Sequence, residues 1–326
     1  MKSKVLLVLI GSLIYSAASF GQVAEGNPKN DTYATEIPGV IAGGAKVRFL
    51  RDRYQGTEGP IALPDGSIVF TETQRDRLMR VDQDGNGSRW LFNTNGANGL
   101  AFDSEGRLIA AQTVPGKTAI SVIYPAGKEK VLSDNYEGKP YGRPNDLVVD
   151  KKGGVYFTDP GPNAEPGAPP APLPPAVYYI PPGGKSMQVV TDIARPNGIQ
   201  LSPDEKTLYV NDTRGENLIA FDIQPDGTLR NRRNFAKYVG VERNGGQINS
   251  GADGLAVDNE GRVYTTSNAG VDVFSPQGQH LGTIPVSRRP QNLAFAGADK
   301  RTLYIVGRGA TFRVPMLAQG YTGRVK

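Results

Sequence analysis

Six segments that recur along the sequence each begin with a residue whose side chain carries an oxygen atom. In every segment, apolar residues, a turn such as Pro-Asp-Gly and a second apolar run follow this opening residue. The opening residues are Glu58, Asn98, Asn145, Asn197, Asp253 and Gln291, between 38 and 56 positions apart. Carboxylate and amide oxygens, without Cys or His, suit a hard cation, and a flexible shell of oxygens is what Ca²⁺ prefers. If the six residues converge, they form an oxygen cage for a divalent cation.

The spacing of these segments also predicts the elements that position them. Repeats of this length with several short strands each are typical of a β-propeller, so we predict an all-β fold with six blades. The 41 Gly and 25 Pro residues suit tight turns between antiparallel strands. In the second repeat, the predicted strands are Gly99–Asp103, Arg107–Gln112, Ile120–Tyr124 and Lys130–Ser133. In the fourth, they are Gly198–Leu201, Thr207–Asn211, Asn217–Asp222 and Asn234–Val239.

We also expect the ring of six blades to close. The sixth repeat has only three predicted strands, whereas the segment Lys46–Arg51 precedes the first repeat and belongs to none. We expect it to supply the missing strand, because this removes an open sheet edge. The opening residues then begin the innermost strands on one face of the ring. A competing interpretation is that these Asn and Asp residues only form turns before strands. The common register, and Glu58 with no turn preference, favour the cage.

The first residues predict export. Lys2 and Lys4 precede an apolar run over 5–15 and then small residues, which is typical of a secretory signal peptide over 1–21. A polar leader is expected over 22–43 and a single propeller domain over 44–326. The expected location is periplasmic or secreted, with no membrane association after the signal is removed.

The composition and charge exclude several kinds of site and partner. The absence of Cys excludes disulfides and thiolate metal sites. The net charge of +5 is spread along the chain without a basic helix, so no nucleic-acid partner is expected. We expect a monomer with a small-molecule substrate.

Several strings make a family resemblance specific. They are TEGP at 57–60, GRPNDLVVD at 142–150, YFTDP at 156–160, RPNGIQLSPDEKTLYV at 195–210 and ADGLAVDNEGRVY at 252–264. Together they resemble the senescence marker protein/gluconolactonase/luciferin-regenerating enzyme family over about Lys46 to Arg313. The resemblance implies a calcium-dependent six-bladed propeller.

The resemblance also implies roles for individual residues. The implied metal ligands are Glu58, Asn145, Asn197 and Asp253, with Ca²⁺ preferred and Zn²⁺, Mg²⁺ or Mn²⁺ as alternatives. The resemblance implies that Arg143 binds substrate, and we predict that Asn98, Asn145 and Asp159 bind it as well. One departure is Gln112, near which many bacterial members have a His.

A cation at the bottom of a polar cup polarises a carbonyl oxygen and stabilises the oxyanion formed on attack. Asp253 is the predicted general base or nucleophile, and the expected activity is hydrolysis of sugar lactones or related small esters. The alternatives are a phosphotriesterase- or arylesterase-like hydrolase and a non-enzymatic propeller that binds a sugar acid or a protein partner. His280, the only histidine, falls on a predicted outer strand, which disfavours a Ser–His–Asp triad. The Pro-rich segment Pro160–Pro175 is either a wall of the pocket or a plain surface loop.

Overall fold

The computed structural model describes residues 30–162, 171–324 and 326. The predicted signal peptide over 1–21 and the middle of the Pro160–Pro175 segment lie outside these ranges. Within them, the one helical element is a 3₁₀ turn at Thr73–Arg75. None of the described helical structure is long and apolar enough to cross a membrane.

Six antiparallel sheets of at least four strands form the blades, and in each sheet consecutive strands pair as neighbours. Blade one comprises Thr57–Ala62, Ile68–Glu72, Arg77–Val81 and Gly87–Phe92. Blade two comprises Ala97–Phe102, Leu108–Gln112, Ala119–Tyr124 and Lys130–Ser133. Blade three comprises Leu147–Val149, Val155–Asp159, Ala176–Ile180 and Met187–Val190. Blade four comprises Pro196–Leu201, Thr207–Asp212, Asn217–Ile223 and Leu229–Lys237. Blade five comprises Leu255–Val257, Val263–Ser267, Gly270–Phe274 and His280–Ile284. Blade six comprises Asn292–Ala296, Thr302–Gly307, Ala310–Pro315, Lys46–Arg51 and Thr32–Tyr33. Two short hairpins lie between blades, Asn135–Tyr136 with Lys139–Pro140 and Glu242–Asn244 with Gln247–Asn249.

The ring closes as the sequence predicted. Lys46–Arg51 pairs antiparallel with Ala310–Pro315 and places Phe49 opposite Phe312. The six innermost strands contact one another in chain order, and the last contacts the first. The all-β, six-bladed propeller is therefore confirmed.

The domain begins earlier than the predicted boundary at residue 44. Thr32–Tyr33 pairs with Lys46 and Val47 and adds a fifth strand to blade six. Ile37, Val40 and Ile41 are buried in the hydrophobic cluster shared by blades five and six. The described part of the expected leader, from residue 30 onward, is thus integral to the fold. Its few apolar residues lie among polar ones and show no strand periodicity.

Apolar side chains from adjacent blades form the core. One cluster joins Ile109 and Ile120 of blade two to Leu147, Phe157 and Tyr178 of blade three. The inner and middle strands are buried on both faces, which explains their nearly continuous apolar runs.

The outermost strands are more polar and harder to locate. Leu229–Lys237 starts five residues before the predicted Asn234–Val239, and most of its side chains are exposed. The sequence did not predict its boundaries, because a strand exposed on both faces shows no alternation of apolar and polar residues.

The glycine that follows an opening residue is required by the close approach of the next blade. The N–H of Gly198 donates to the carbonyl oxygen of Asp253 over 2.8 Å. A Cβ at Gly198 would overlap that oxygen, and one at Gly254 would overlap the side chain of Asn292. At neither position is φ positive, so the constraint is space and not backbone conformation. Packing between blades accounts for these Gly residues, which weakens the turn interpretation of the motif.

Replacement of Gly198 by Ala should therefore destabilise the ring. The added methyl group has to push the inner strands of blades four and five apart, so we expect a loss of about 1–3 kcal/mol in unfolding free energy. Chemical denaturation measures this loss. Gly43→Ala is the control, because Gly43 is exposed and its Cβ would lie 3.4 Å from the nearest atom. Equal stability of the two variants would contradict this account of the motif.

Candidate metal centre and active site

Five of the six opening residues lie at the start of an inner strand or two residues before it, with their side chains largely out of solvent. Glu58, Asn98, Asn145 and Asn197 are all less than a tenth exposed, and Asp253 is half-buried. In two cases, a side chain from the second strand of one blade bonds to the backbone of the opening residue in the following blade. Thr158 Oγ1 donates to the Asn197 carbonyl over 2.6 Å, and Asn211 Nδ2 donates to the Asp253 carbonyl over 2.7 Å. These bonds fix the backbone of the cage without using its side-chain oxygens.

Several polar atoms of the cage have no hydrogen-bond partner. They are Asn98 Oδ1 and Nδ2, Asn197 Oδ1 and Asp253 Oδ1, all buried. Leaving such an atom unsatisfied costs about 1–3 kcal/mol, so each exception needs an explanation. At Asn197 the amide has a set orientation, because Nδ2 donates to Thr213 Oγ1 over 3.0 Å and leaves Oδ1 available. This is the geometry of a ligand held ready for a cation.

Glu58 is oriented by the sixth repeat. Its two carboxylate oxygens accept from Gln291 Nε2 over 3.2 Å and from Asn292 Nδ2 over 3.1 Å. Gln291 in turn accepts at Oε1 from the backbone N–H of Arg308 over 2.7 Å. Gln291, expected from the sequence to line the cage, therefore positions the carboxylate of Glu58.

Burial and neighbouring negative charge raise the pKa values of two carboxylates of the cage, Glu58 and Asp253. Burial raises the pKa of Asp253 to about 7, and the charge of Asp146 adds to the rise. Three guanidinium groups oppose this pKa shift, those of Arg143, Arg308 and Arg195. Burial, and then the charge of Asp253, raise the pKa of Glu58 well above its usual range. A divalent cation between Glu58 and Asp253 would reverse both effects.

The residues present therefore fit a hard divalent cation. Glu58 and Asp253 offer carboxylates, and Asn145 and Asn197 offer neutral amide oxygens, which is a donor set suited to Ca²⁺. Among the described residues, no group of three or more His, Cys, Asp or Glu side chains could hold a metal. The proposed set does not depend on such a group, because half of its ligands are amides.

Asp159 lies beneath the loop that carries Arg143. Its Oδ1 accepts from the backbone N–H of Arg143 over 2.8 Å and of Gly161 over 2.9 Å, and Oδ2 accepts from Gly142 over 2.7 Å. These contacts make Asp159 a positioning residue for Arg143. The direct substrate contact predicted for Asp159 stays a prediction.

Sequence reasoning missed an ion pair in the channel. The ammonium of Lys326 lies 2.7 Å from Asp146 Oδ2 and also donates to the carbonyl of Ile199 over 2.7 Å. Both side chains are almost fully buried. The two residues are 180 positions apart, so no local pattern could have revealed the pair.

Two residues singled out in the sequence have structural roles. Gln112, where a His was expected from the family, donates to the Thr94 carbonyl over 2.9 Å and accepts from Ser121 over 2.7 Å. His280 is exposed on the outermost strand of blade five, 3.1 Å from Thr283 Oγ1. Neither residue belongs to the cage.

The sequence matches the SMP-30/Gluconolactonase/LRE-like region over residues 56–308. The chain belongs to this family. The resemblance stated from the motifs is thereby confirmed.

Among its relatives, a gluconolactonase of Zymomonas mobilis is 26% identical and covers 96% of this chain and 95% of its own length. Lactonase drp35 of Staphylococcus saprophyticus is 32% identical, with 74% of this chain and 67% of the relative covered. A solved gluconolactonase structure from Xanthomonas campestris superimposes with a TM-score of 0.75 at 30% identity, covering 89% of this chain and 96% of that one.

The amide of Asn197 provides the first test of the cage. Asn197→Leu keeps the approximate shape of the side chain but removes the buried oxygen Oδ1 that is proposed to bind the cation. We therefore expect at least about tenfold weaker Ca²⁺ binding by isothermal titration calorimetry. Thr213→Val removes the bond that orients the amide, together with the bond from Thr213 Oγ1 to the carbonyl of Ala252, but it leaves Asn197 Oδ1 in place, so its effect on affinity should be smaller. Folding is monitored by circular dichroism. Wild-type affinity in Asn197→Leu would exclude this residue as a ligand.

The pair of Lys326 and Asp146 provides a second test. Lys326→Met leaves a buried carboxylate without its cation, and we expect a loss of about 3–5 kcal/mol in unfolding free energy. The double variant Lys326→Met/Asp146→Asn should recover much of that loss, because no unpaired charge remains. A double variant as unstable as the single one would show that the charges do not interact.

Proposed function

We propose that this chain is a calcium-dependent lactonase that hydrolyses sugar lactones or related small cyclic esters. The relatives named gluconolactonase and lactonase agree with the predicted enzyme class, a lactonase-type hydrolase acting on carboxylic esters. The observation that carries the calcium dependence is the set of buried oxygens without hydrogen-bond partners at Asn197 and Asp253, beside the carboxylate of Glu58.

A divalent cation held by Glu58, Asn145, Asn197 and Asp253 would supply Lewis acidity toward the lactone carbonyl. The protein's part is to bind and orient. Arg143, whose backbone is held by Asp159, is placed to hold substrate oxygens by hydrogen bonds. Asn98 offers a buried amide with both a free donor and a free acceptor, which suits the hydroxyl groups of a sugar lactone.

Asp253 has two routes to ring opening. As a general base it accepts a proton from water while the water oxygen bonds to the carbonyl carbon, and it returns the proton to the ring oxygen as the C–O bond breaks. As a nucleophile its own oxygen bonds to the carbonyl carbon, the ring C–O bond breaks and the ring oxygen takes a proton from water. The resulting hydroxide then attacks the acyl anhydride, whose C–O bond breaks to release the hydroxy acid as its carboxylate and to restore the Asp253 carboxylate. Both routes need an ionised carboxylate, which cationic neighbours favour.

Replacement of Asp253 by Asn separates catalysis from metal binding. The amide keeps an oxygen for the cation but cannot take a proton or attack, so we expect turnover to fall roughly a hundredfold or more. Activity is measured on a panel of aldonolactones, with calcium content determined in parallel. Asp192→Asn, on the exposed rim of blade three, is the control. Turnover within threefold of wild type, with calcium bound, would contradict the catalytic role.

The same panel distinguishes the competing functions. With a chelator present, hydrolysis of lactones should stop and then recover when calcium is restored. Hydrolysis confined to aromatic esters or phosphotriesters would support the arylesterase or phosphotriesterase alternative. Binding of sugar acids or a protein without any turnover would support a non-enzymatic propeller.

A further inference from the structure

The segment 316–324, which we call the strap, crosses the face of the ring opposite the cage. The inner strands run from the opening residues to tight turns at their other ends, and the strap contacts these turns. The N–H of Gly320 donates to the carbonyl of Lys300 in blade six over 2.9 Å. The hydroxyl of Tyr321 donates to the carbonyl of Pro203 in blade four over 2.8 Å. These bonds lead the chain from the rim of blade six to the channel beside blade four.

Two cationic side chains then bind the innermost strand of blade four. This strand is the edge of its sheet on the axial side, so alternate backbone groups there need partners from outside the sheet. Arg324 Nη2 donates to the carbonyl of Leu201 over 2.6 Å. Lys326 Nζ donates to the carbonyl of Ile199 over 2.7 Å. The two side chains therefore follow one strand edge toward the cage, where Asn197 lies two residues beyond Ile199.

Asp146 connects this strand to the neighbouring proposed ligand. It directly follows Asn145, and its Oδ2 accepts from the backbone N–H of Ile199 over 3.2 Å. The same oxygen accepts from Lys326 Nζ over 2.7 Å, and both side chains are almost fully buried. The ammonium of Lys326 thus contacts the carboxylate beside Asn145 and the carbonyl two residues from Asn197. It joins blades three and four next to the two amide ligands of the cage.

We propose that Lys326 is a positioning residue that makes the cage selective for Ca²⁺ over Mg²⁺, because it holds Asn145 and Asn197 at the separation that Ca²⁺ needs. Ca²⁺ takes about six to eight oxygen ligands and therefore depends on both amides. Mg²⁺ keeps several of its waters and is bound through one or two carboxylates, so it depends less on the amides. This inference rests on the proposed calcium-dependent function and identifies a residue that determines the choice of metal.

Isothermal titration calorimetry with Ca²⁺ and with Mg²⁺ tests the role of Lys326. In Lys326→Met, the Kd for Ca²⁺ should rise about tenfold, the scale on which loss of a residue supporting a metal ligand acts. The Kd for Mg²⁺ should change less than about threefold, because that ion retains its carboxylate ligands. The ratio of the two Kd values is the decisive quantity, since a change in charge alone acts on both divalent ions alike.

The double variant Lys326→Met/Asp146→Asn separates position from charge. It leaves no unpaired buried charge, so it remains folded where the single variant is unstable, and the net charge of the pair stays at zero. It lacks both bonds of the ammonium, so the preference for Ca²⁺ should still be about tenfold lower than in wild type. A wild-type ratio in the double variant would overturn the proposal.

Arg262→Met is the matched control. Arg262 forms a buried ion pair with Asp258 over 2.6 Å on the same face as the strap, and its partners Asp258 and Glu260 belong to the same turn of blade five. Its loss should destabilise the protein but leave the ratio of the two Kd values unchanged. An equal change of the ratio in Arg262→Met would show that loss of stability alone causes it, and this would also overturn the proposal.

Failure of the lactonase function is recognised separately, because the titrations contain no lactone. If wild type binds Ca²⁺ but hydrolyses no lactone, the proposed function fails while the two Kd values still decide the role of Lys326. If calcium-dependent hydrolysis is found and Lys326→Met and the double variant both keep the wild-type ratio, only this inference fails. Absence of Ca²⁺ binding to wild type would overturn it as well.

Discussion

Repulsion among buried carboxylates at the axis is the constraint on which this structure depends. Burial, and then the charges of Asp253 and Asp146, raise the pKa of Glu58, and burial with the charge of Asp146 raises the pKa of Asp253. Each is offset differently: Glu58 by amide donors, Asp146 by the ammonium of Lys326 and Asp253 by arginines at the mouth. Only a closed ring can hold such groups together, because every inner strand is clamped by its neighbours and cannot relax away from the others. The favourable burial of apolar surface between blades opposes the electrostatic cost.

Much of the fold follows from the sequence because the repeats are local. An inner strand buried on both faces, a tight turn and a second buried strand reproduce one pattern six times, and the odd strand at Lys46–Arg51 follows from counting. The segment from residue 30 to 43 did not follow, since its core residues Ile37, Val40 and Ile41 show no periodicity. The same holds for the contact of Lys326 with Asp146, which only the ring brings together. In the candidate site, the motifs and their common register predicted the positions of the proposed ligands. The hydrogen bonds that orient Glu58 and Asn197 could not be predicted from the sequence and are seen only in the structure.

The short sequence Arg-Pro-Asn opens two neighbouring blades, at 143–145 and 195–197. In Arg-Pro-Asn the Asn faces the cage and the Arg, two residues earlier, is anchored through its backbone to an aspartate of the same blade. Displacement of either strand would therefore disturb metal binding and substrate binding together.

The central claim is that one divalent cation binds on the axis to Glu58, Asn145, Asn197 and Asp253. Anomalous diffraction from crystals grown with calcium tests it most directly, with crystals grown in chelator as the reference. The account predicts a single peak at about 2.3–2.6 Å from one oxygen of each of the four side chains, absent in chelator. No peak at this position at saturating calcium, or a peak held by other residues while lactone hydrolysis continues, would contradict it.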